Sequence, residues 1–104
     1  MTKIIVAQDA PVLVAIDIAK ARHEVLIAIP DKKRRRRLTV LNELADFNCL
    51  ATALKEYGRP VRVAFEATGN YHRALAYYLA TAGFEIKLVS SVALARTREA
   101  LNNS

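Results

Sequence analysis

The sequence predicts a mixed α/β fold, five strands and three helices in the order β-β-β-α-β-α-β-α around one sheet. Three observations carry that expectation. Pro11–Ile18 and Val61–Phe65 are short, β-rich and apolar on both alternating faces, as in strands covered from two sides. Phe47, Leu50, Leu54 and Tyr57, and later Leu75, Tyr78, Leu79 and Ala82, recur at helical spacing. Gly58-Arg59-Pro60 and Gly83 fall where those two helices should stop.

In chain order, residues 1–10 read as a loose N-terminal arm closed by Pro11. The domain is expected over 11–101, with 102–104 a tail. Val12, Val14 and Ile16 share one face of the first strand, and Leu13, Ala15 and Asp17 the other. Ile18–Ala21 turns the chain into a second strand, Arg22–Ile29. After the next turn comes a short third strand, Leu38–Val40, completing an antiparallel meander. Asn42 and Glu43 suit a helix start. The strand from Val61 then delivers Glu66 at its carboxyl end, where Thr68-Gly69-Asn70 supplies turn and cap chemistry. Phe84–Val89 alternates apolar with charged residues, so it belongs near a sheet edge. Ser90-Ser91 should cap a final helix, Val92 to about Leu101.

The length of 104 residues suits one small domain, and 53% hydrophobic with 25% charged residues excludes a disordered chain. No apolar stretch approaches the ~20 residues needed to span a bilayer. The single cysteine, Cys49, makes no internal disulfide; it is expected as a buried or half-buried helical thiol in a reducing cytoplasm. The net charge of +6 comes from 16 basic and 10 acidic residues, and six of the bases are consecutive: Lys32, Lys33, Arg34, Arg35, Arg36 and Arg37. Without those six, 10 bases face 10 acids, so the polyanion question belongs to one loop. Between two predicted strands such a run should project as a cationic loop or strand end; it suits several phosphate contacts and, lacking interleaved aromatics, the backbone rather than stacked bases. The competing reading is a solvated turn.

Asp17 and Glu66 each end a predicted strand, and ligands of open α/β sheets collect outside carboxyl ends. An ionised carboxylate on a two-sided apolar strand needs a base, a helix N-terminus or a metal beside it. Two converging carboxylates suit Mg²⁺, a hard cation that takes oxygen ligands. Against that, Asp17 fits a cap for the turn at Ala19-Lys20, and Glu66 a surface partner for Lys20, Arg62 or Arg73. His23 and His72 lack zinc-site spacing and read as surface or half-buried. Tyr71 reads as a structural residue opening the helix after Glu66.

Ile16-Asp17-Ile18-Ala19-Lys20 followed by Phe65-Glu66-Ala67-Thr68-Gly69-Asn70-Tyr71 resembles the N-terminal part of the DEDD transposases of bacterial insertion sequences, the IS-one-hundred-ten family. The likeness continues through Ala82-Gly83-Phe84 and Leu88-Val89-Ser90, and spans about Val12 to Arg98. It implies a ribonuclease H-like domain of the resolvase type, with a mixed five-stranded sheet. It implies a DNA transposase of the bacterial cytoplasm that cleaves and exchanges strands with Mg²⁺ or Mn²⁺. It makes Asp17 and Glu66 the first two of four metal-binding, catalytic carboxylates. DNA, a structured non-coding guide RNA and further copies of the chain are the implied partners, with no membrane. The other two aspartates are expected past the helix near Ser91 and do not occur by Ser104, so the expectation is a truncated domain, inactive alone. Two alternatives stand beside it. One is a non-catalytic module that binds nucleic acid through Lys32–Arg37. The other is an actin-like or sugar-kinase phosphotransferase, disfavoured because Ile18–Ala21 lacks the glycines that admit phosphates.

Overall fold

The computed structural model describes residues 10–66 and 71–89. β1 (Val12–Asp17), β2 (Arg22–Ala28) and β3 (Arg35–Leu41) lead to helix α1 (Leu44–Lys55). β4 (Val61–Glu66), α2 (Arg73–Thr81) and β5 (Glu85–Val89) follow. They form one five-stranded sheet of order β3-β2-β1-β4-β5. The first three strands are an antiparallel meander, whereas β4 runs parallel to both β1 and β5. This mixed sheet is consistent with the ribonuclease H-like fold. The expected helix at 92–101, the arm at 1–9, the turn at 68–70 and the tail lie outside the described residues.

Alternation along the strands decides the layering. Val12, Val14 and Ile16 of β1, Val25 and Ile27 of β2, and Val61, Val63 and Phe65 of β4 join one buried cluster. α1 adds Phe47, Leu50, Ala51 and Leu54 to it, and α2 adds Leu75 and Leu79. Both described helices therefore pack on the same face of the sheet. A smaller cluster of Ala15, Leu26 and Ala28, with Ala64 and Val89 against it, occupies the opposite face. The helices touch through Phe47 and Tyr78, whose rings lie 5.9 Å apart, and the Tyr78 hydroxyl donates to Asn48 Oδ1 at 3.0 Å. Gly58 (φ 65°) and Gly83 (φ 102°) follow the helices in the left-handed region, where a side chain is strained.

Three boundaries differ from expectation. β3 starts at Arg35, not Leu38, because β2 runs on to Ala28 and its backbone groups need partners. Arg35, Arg36 and Arg37 thereby form the strand end of the run, and Lys32, Lys33 and Arg34 precede it. α1 is preceded by Glu43, which is extended and makes no side-chain cap bond. Asn42 is engaged elsewhere. α2 begins at Arg73, after His72, so Tyr71 precedes the helix instead of opening it. Among the described residues no helix is long and apolar enough to cross a membrane.

Leu54 is fully buried where α1 meets the sheet. Leu54→Ala should lower the unfolding free energy by about 3 kcal/mol, within the range for buried leucine truncations. Urea denaturation checks this, and a loss below about 1 kcal/mol would contradict the packing.

Candidate active site at the carboxyl ends of the central strands

β1 and β4 pair in parallel from Val12↔Val61 to Ile16↔Phe65. The next residue on each strand is the acid: Asp17 ends β1 and Glu66 ends β4. Neighbouring strands lie about 4.8 Å apart, and in-register residues of a parallel pair share a face. The backbone thus sets positions 17 and 66 side by side at one rim, with the parity of Ala15 and Ala64. The Asp17 side chain is exposed. It does not cap the turn at Ala19, whose amide donates to His23 Nδ1 instead. Arg62 is engaged with Glu85, its Nε 3.2 Å from the carboxylate.

Glu24, which the sequence reading passed over, stands opposite Asp17 on β2. Its carboxylate accepts from the Thr39 hydroxyl of β3, at 3.1 and 3.3 Å to its two oxygens. Lys20 and Arg22 belong to the same rim and are exposed. Antiparallel register placed Glu24 there, and no motif marks it. Among the described residues no group of three or more possible metal ligands is gathered. The two positions at 17 and 66 offer hard oxygen donors of the kind Mg²⁺ takes.

The basic run lies elsewhere. Arg35 pairs with Ala28 and Arg37 with Leu26, which in turn face Leu13 and Ala15 of β1. Arg35 is therefore four residues back along β1 from Asp17, about 13 Å at the rise of a strand. Lys32, Lys33 and Arg34 are farther still, at the opposite rim. Nor does the run present one surface. Arg35 is half-buried and donates to the carbonyls of Lys32 and Lys33 at 3.1 and 2.9 Å, tying its own turn. Arg36 donates to the Tyr57 hydroxyl at 3.3 Å on the helix-covered side, while Arg37 has the opposite parity.

Three minor expectations are corrected. Both histidines are buried, His23 at 0% and His72 at 8% exposure. His23 follows the alternation of Val25 and Ile27 onto the core face, and His72 lies beside Phe65 with the rings tilted by 44° and their centroids 6.4 Å apart. Period-two patterning held that information for His23, but residue type argued against using it. Cys49 is exposed, because the buried stripe of α1 passes through Phe47, Leu50, Ala51 and Leu54 instead.

A five-stranded mixed sheet in which two parallel central strands end in acids is an α/β domain consistent with the ribonuclease H-like class. The model of the DEDD transposases of insertion sequences, named for IS110, matches residues 14–104, so the chain belongs to that transposase family. No curated protein matches the chain. Membership makes this a domain of an insertion-sequence transposase, a DNA-cutting kind of enzyme with DNA as its partner.

β3 and β5 are the edges of the described sheet, and edges lined with cations resist pairing with a second chain. Arg36→Thr together with Arg37→Thr keeps strand propensity and removes that protection. Increased self-association should appear in sedimentation or light scattering at high protein concentration; behaviour identical to wild type would deny the edge its protective charge.

Proposed function

We propose that Asp17 and Glu66 contribute the first pair of carboxylates to a divalent-metal site for DNA strand cleavage and exchange in transposition. The parallel register of β1 and β4 carries this reading, because it sets two acids at adjacent positions on one rim. Each is an anion at the end of an apolar strand, a placement that favours a cation close by. Mg²⁺ or Mn²⁺ bound there would steady the charge that develops on the attacking and leaving oxygens of a phosphoryl displacement. The chain's own part is to hold the two acids on adjoining strands, so that little ordering remains when the cation arrives.

The basic turn has a separate role in this proposal. Lys32, Lys33 and Arg34 are exposed and meet nucleic-acid phosphates about a strand's length from the acids. DNA is the ligand inferred for them, and a structured guide RNA presents the same phosphate chemistry. The displacement of this strip from the acids favours one second reading, a module that binds nucleic acid without cutting it. The two differ at Asp17.

Titration with Mg²⁺ or Mn²⁺ should move or broaden the amide resonances of Asp17 and Glu66 first. Asp17→Asn should weaken that response at least tenfold while leaving duplex binding intact. A response absent up to high millimolar metal would remove the metal role and leave the binding module.

Duplex DNA affinity should fall linearly with salt on logarithmic axes, by about 0.9 per phosphate contacted. Lys32→Gln, Lys33→Gln and Arg34→Gln combined should flatten that slope by about 2 to 3. An unchanged slope would take the turn out of the interface.

A further inference from the structure

His23 is the most deeply buried polar side chain among the described residues, and it lies outside the proposed metal and phosphate contacts. Its ring sits behind the Ile18–Ala21 turn, directly after Asp17. Ala19 N–H donates to His23 Nδ1 at 3.3 Å. An Nδ1 that accepts leaves the proton on Nε2, which lies 3.4 Å from Asn42 Oδ1. With Oδ1 as acceptor, the amide end of Asn42 is the donor, and it meets the Lys20 carbonyl at 3.4 Å. The Asn42 main-chain N–H closes the set on the Ala21 carbonyl at 3.0 Å. Every donor in this circuit faces an acceptor, in one consistent direction.

We infer that His23 and Asn42 are positioning residues that clasp the Ile18–Ala21 turn and so fix the end of β1 that presents Asp17. The inference rests on the reading of Asp17 as a site residue. The side-chain bonds are long, so each is weak alone. Their effect is directional: three consecutive residues of the turn, Ala19, Lys20 and Ala21, are each held by one backbone group. A carboxylate at the end of a strand is only as well placed as the turn that follows it. The clasp draws on β2 through His23 and on the β3–α1 junction through Asn42, so the turn is referred to two other elements. It also explains why Asn42 does not cap α1. The same clasp holds Lys20 at the acid rim.

The test uses the ¹⁵N-labelled 104-residue chain and the variants His23→Leu, His23→Gln and Asn42→Ala. In wild type, the imidazole nitrogens should show Nε2 protonated and Nδ1 bare. In His23→Leu the core stays filled, the Ala19 amide should exchange with solvent at least tenfold faster, and the Asp17 resonance should shift without metal. His23→Gln, which restores an acceptor and a donor, should recover much of the protection. Asn42 is exposed, so Asn42→Ala spares the core and keeps the question open to measurement if His23→Leu does not fold. It should loosen Lys20, whose carbonyl loses the Asn42 side-chain donor, and move Asp17 as well. Where wild type responds to Mn²⁺, both variants should need several-fold more metal for the same broadening at Asp17. Unchanged Ala19 exchange and an unmoved Asp17 resonance in both variants would overturn the clasp. A wild-type chain silent to Mn²⁺ would fail the metal reading alone, because the metal-free measurements still decide the clasp.

Discussion

The parallel pairing of β1 with β4 is the constraint on which the rest of the structure depends. Side chains alternate with period two, so a slip of one residue would move every core residue of β4 to the other face. Val61, Val63 and Phe65 are held to the helix-covered side with Val12, Val14 and Ile16, and the helices seal that arrangement. The acids inherit their placement from it. Positions 17 and 66 adjoin along the backbone because Ile16 and Phe65, one step earlier, are paired and buried on the same side. Their adjacency is enforced by hydrophobic burial, which supplies most of the driving force in a small domain. Bringing positions 17 and 66 together needs no favourable interaction between the two residues themselves.

That origin explains what the sequence made legible. Element order and sheet type followed from apolar alternation, helical spacing and glycine stops, all local signals. The two acids were visible because they sit where apolar runs break. Register is non-local, and so Glu24 opposite Asp17 went unseen: only the pairing of β1 with β2 brings it there. The arginines show a second limit. A run of six cations reads as a loop by composition, yet a partner strand seven residues long recruits three of them into the ladder. Backbone hydrogen bonding outweighs side-chain preference at an exposed edge, where long cationic side chains reach water whichever way the strand runs.

The buried histidines mark the limit of residue-type reasoning. His23 occupies a core-facing position in a strand whose neighbours on that face are valine and isoleucine. Burial of a neutral imidazole is tolerable when one ring nitrogen accepts and the other donates, and here both find partners. His72 differs, for its Nδ1 is buried without a hydrogen-bond partner among the described residues. The two rings have similar exposure and opposite degrees of satisfaction. Only the first is tied to the rim where the acids stand.

The separation of the basic turn from the acids has an electrostatic consequence. Exposed charges are screened over about 8 Å at physiological ionic strength, and Lys32, Lys33 and Arg34 lie beyond the Arg35 row, itself about 13 Å along the strand from the Asp17 row. Those three cations of the turn therefore do little to neutralise the acids directly, whereas Arg37, in the Ala15 row, is the strip residue nearest to them. Cations nearer by, Lys20 and Arg22, share their rim but are exposed and well hydrated. Most of the negative potential at positions 17 and 66 is left for a ligand to answer. A polyanion such as DNA cannot do that by itself, because it adds charge of the same sign. On the proposed function, a cation would stand between DNA and this rim, and the basic turn would hold the backbone without discharging the acids. Attraction at one rim and repulsion at the other would then orient a bound strand across the sheet, a polarity that follows from where the fold sets the basic turn and the two acidic positions.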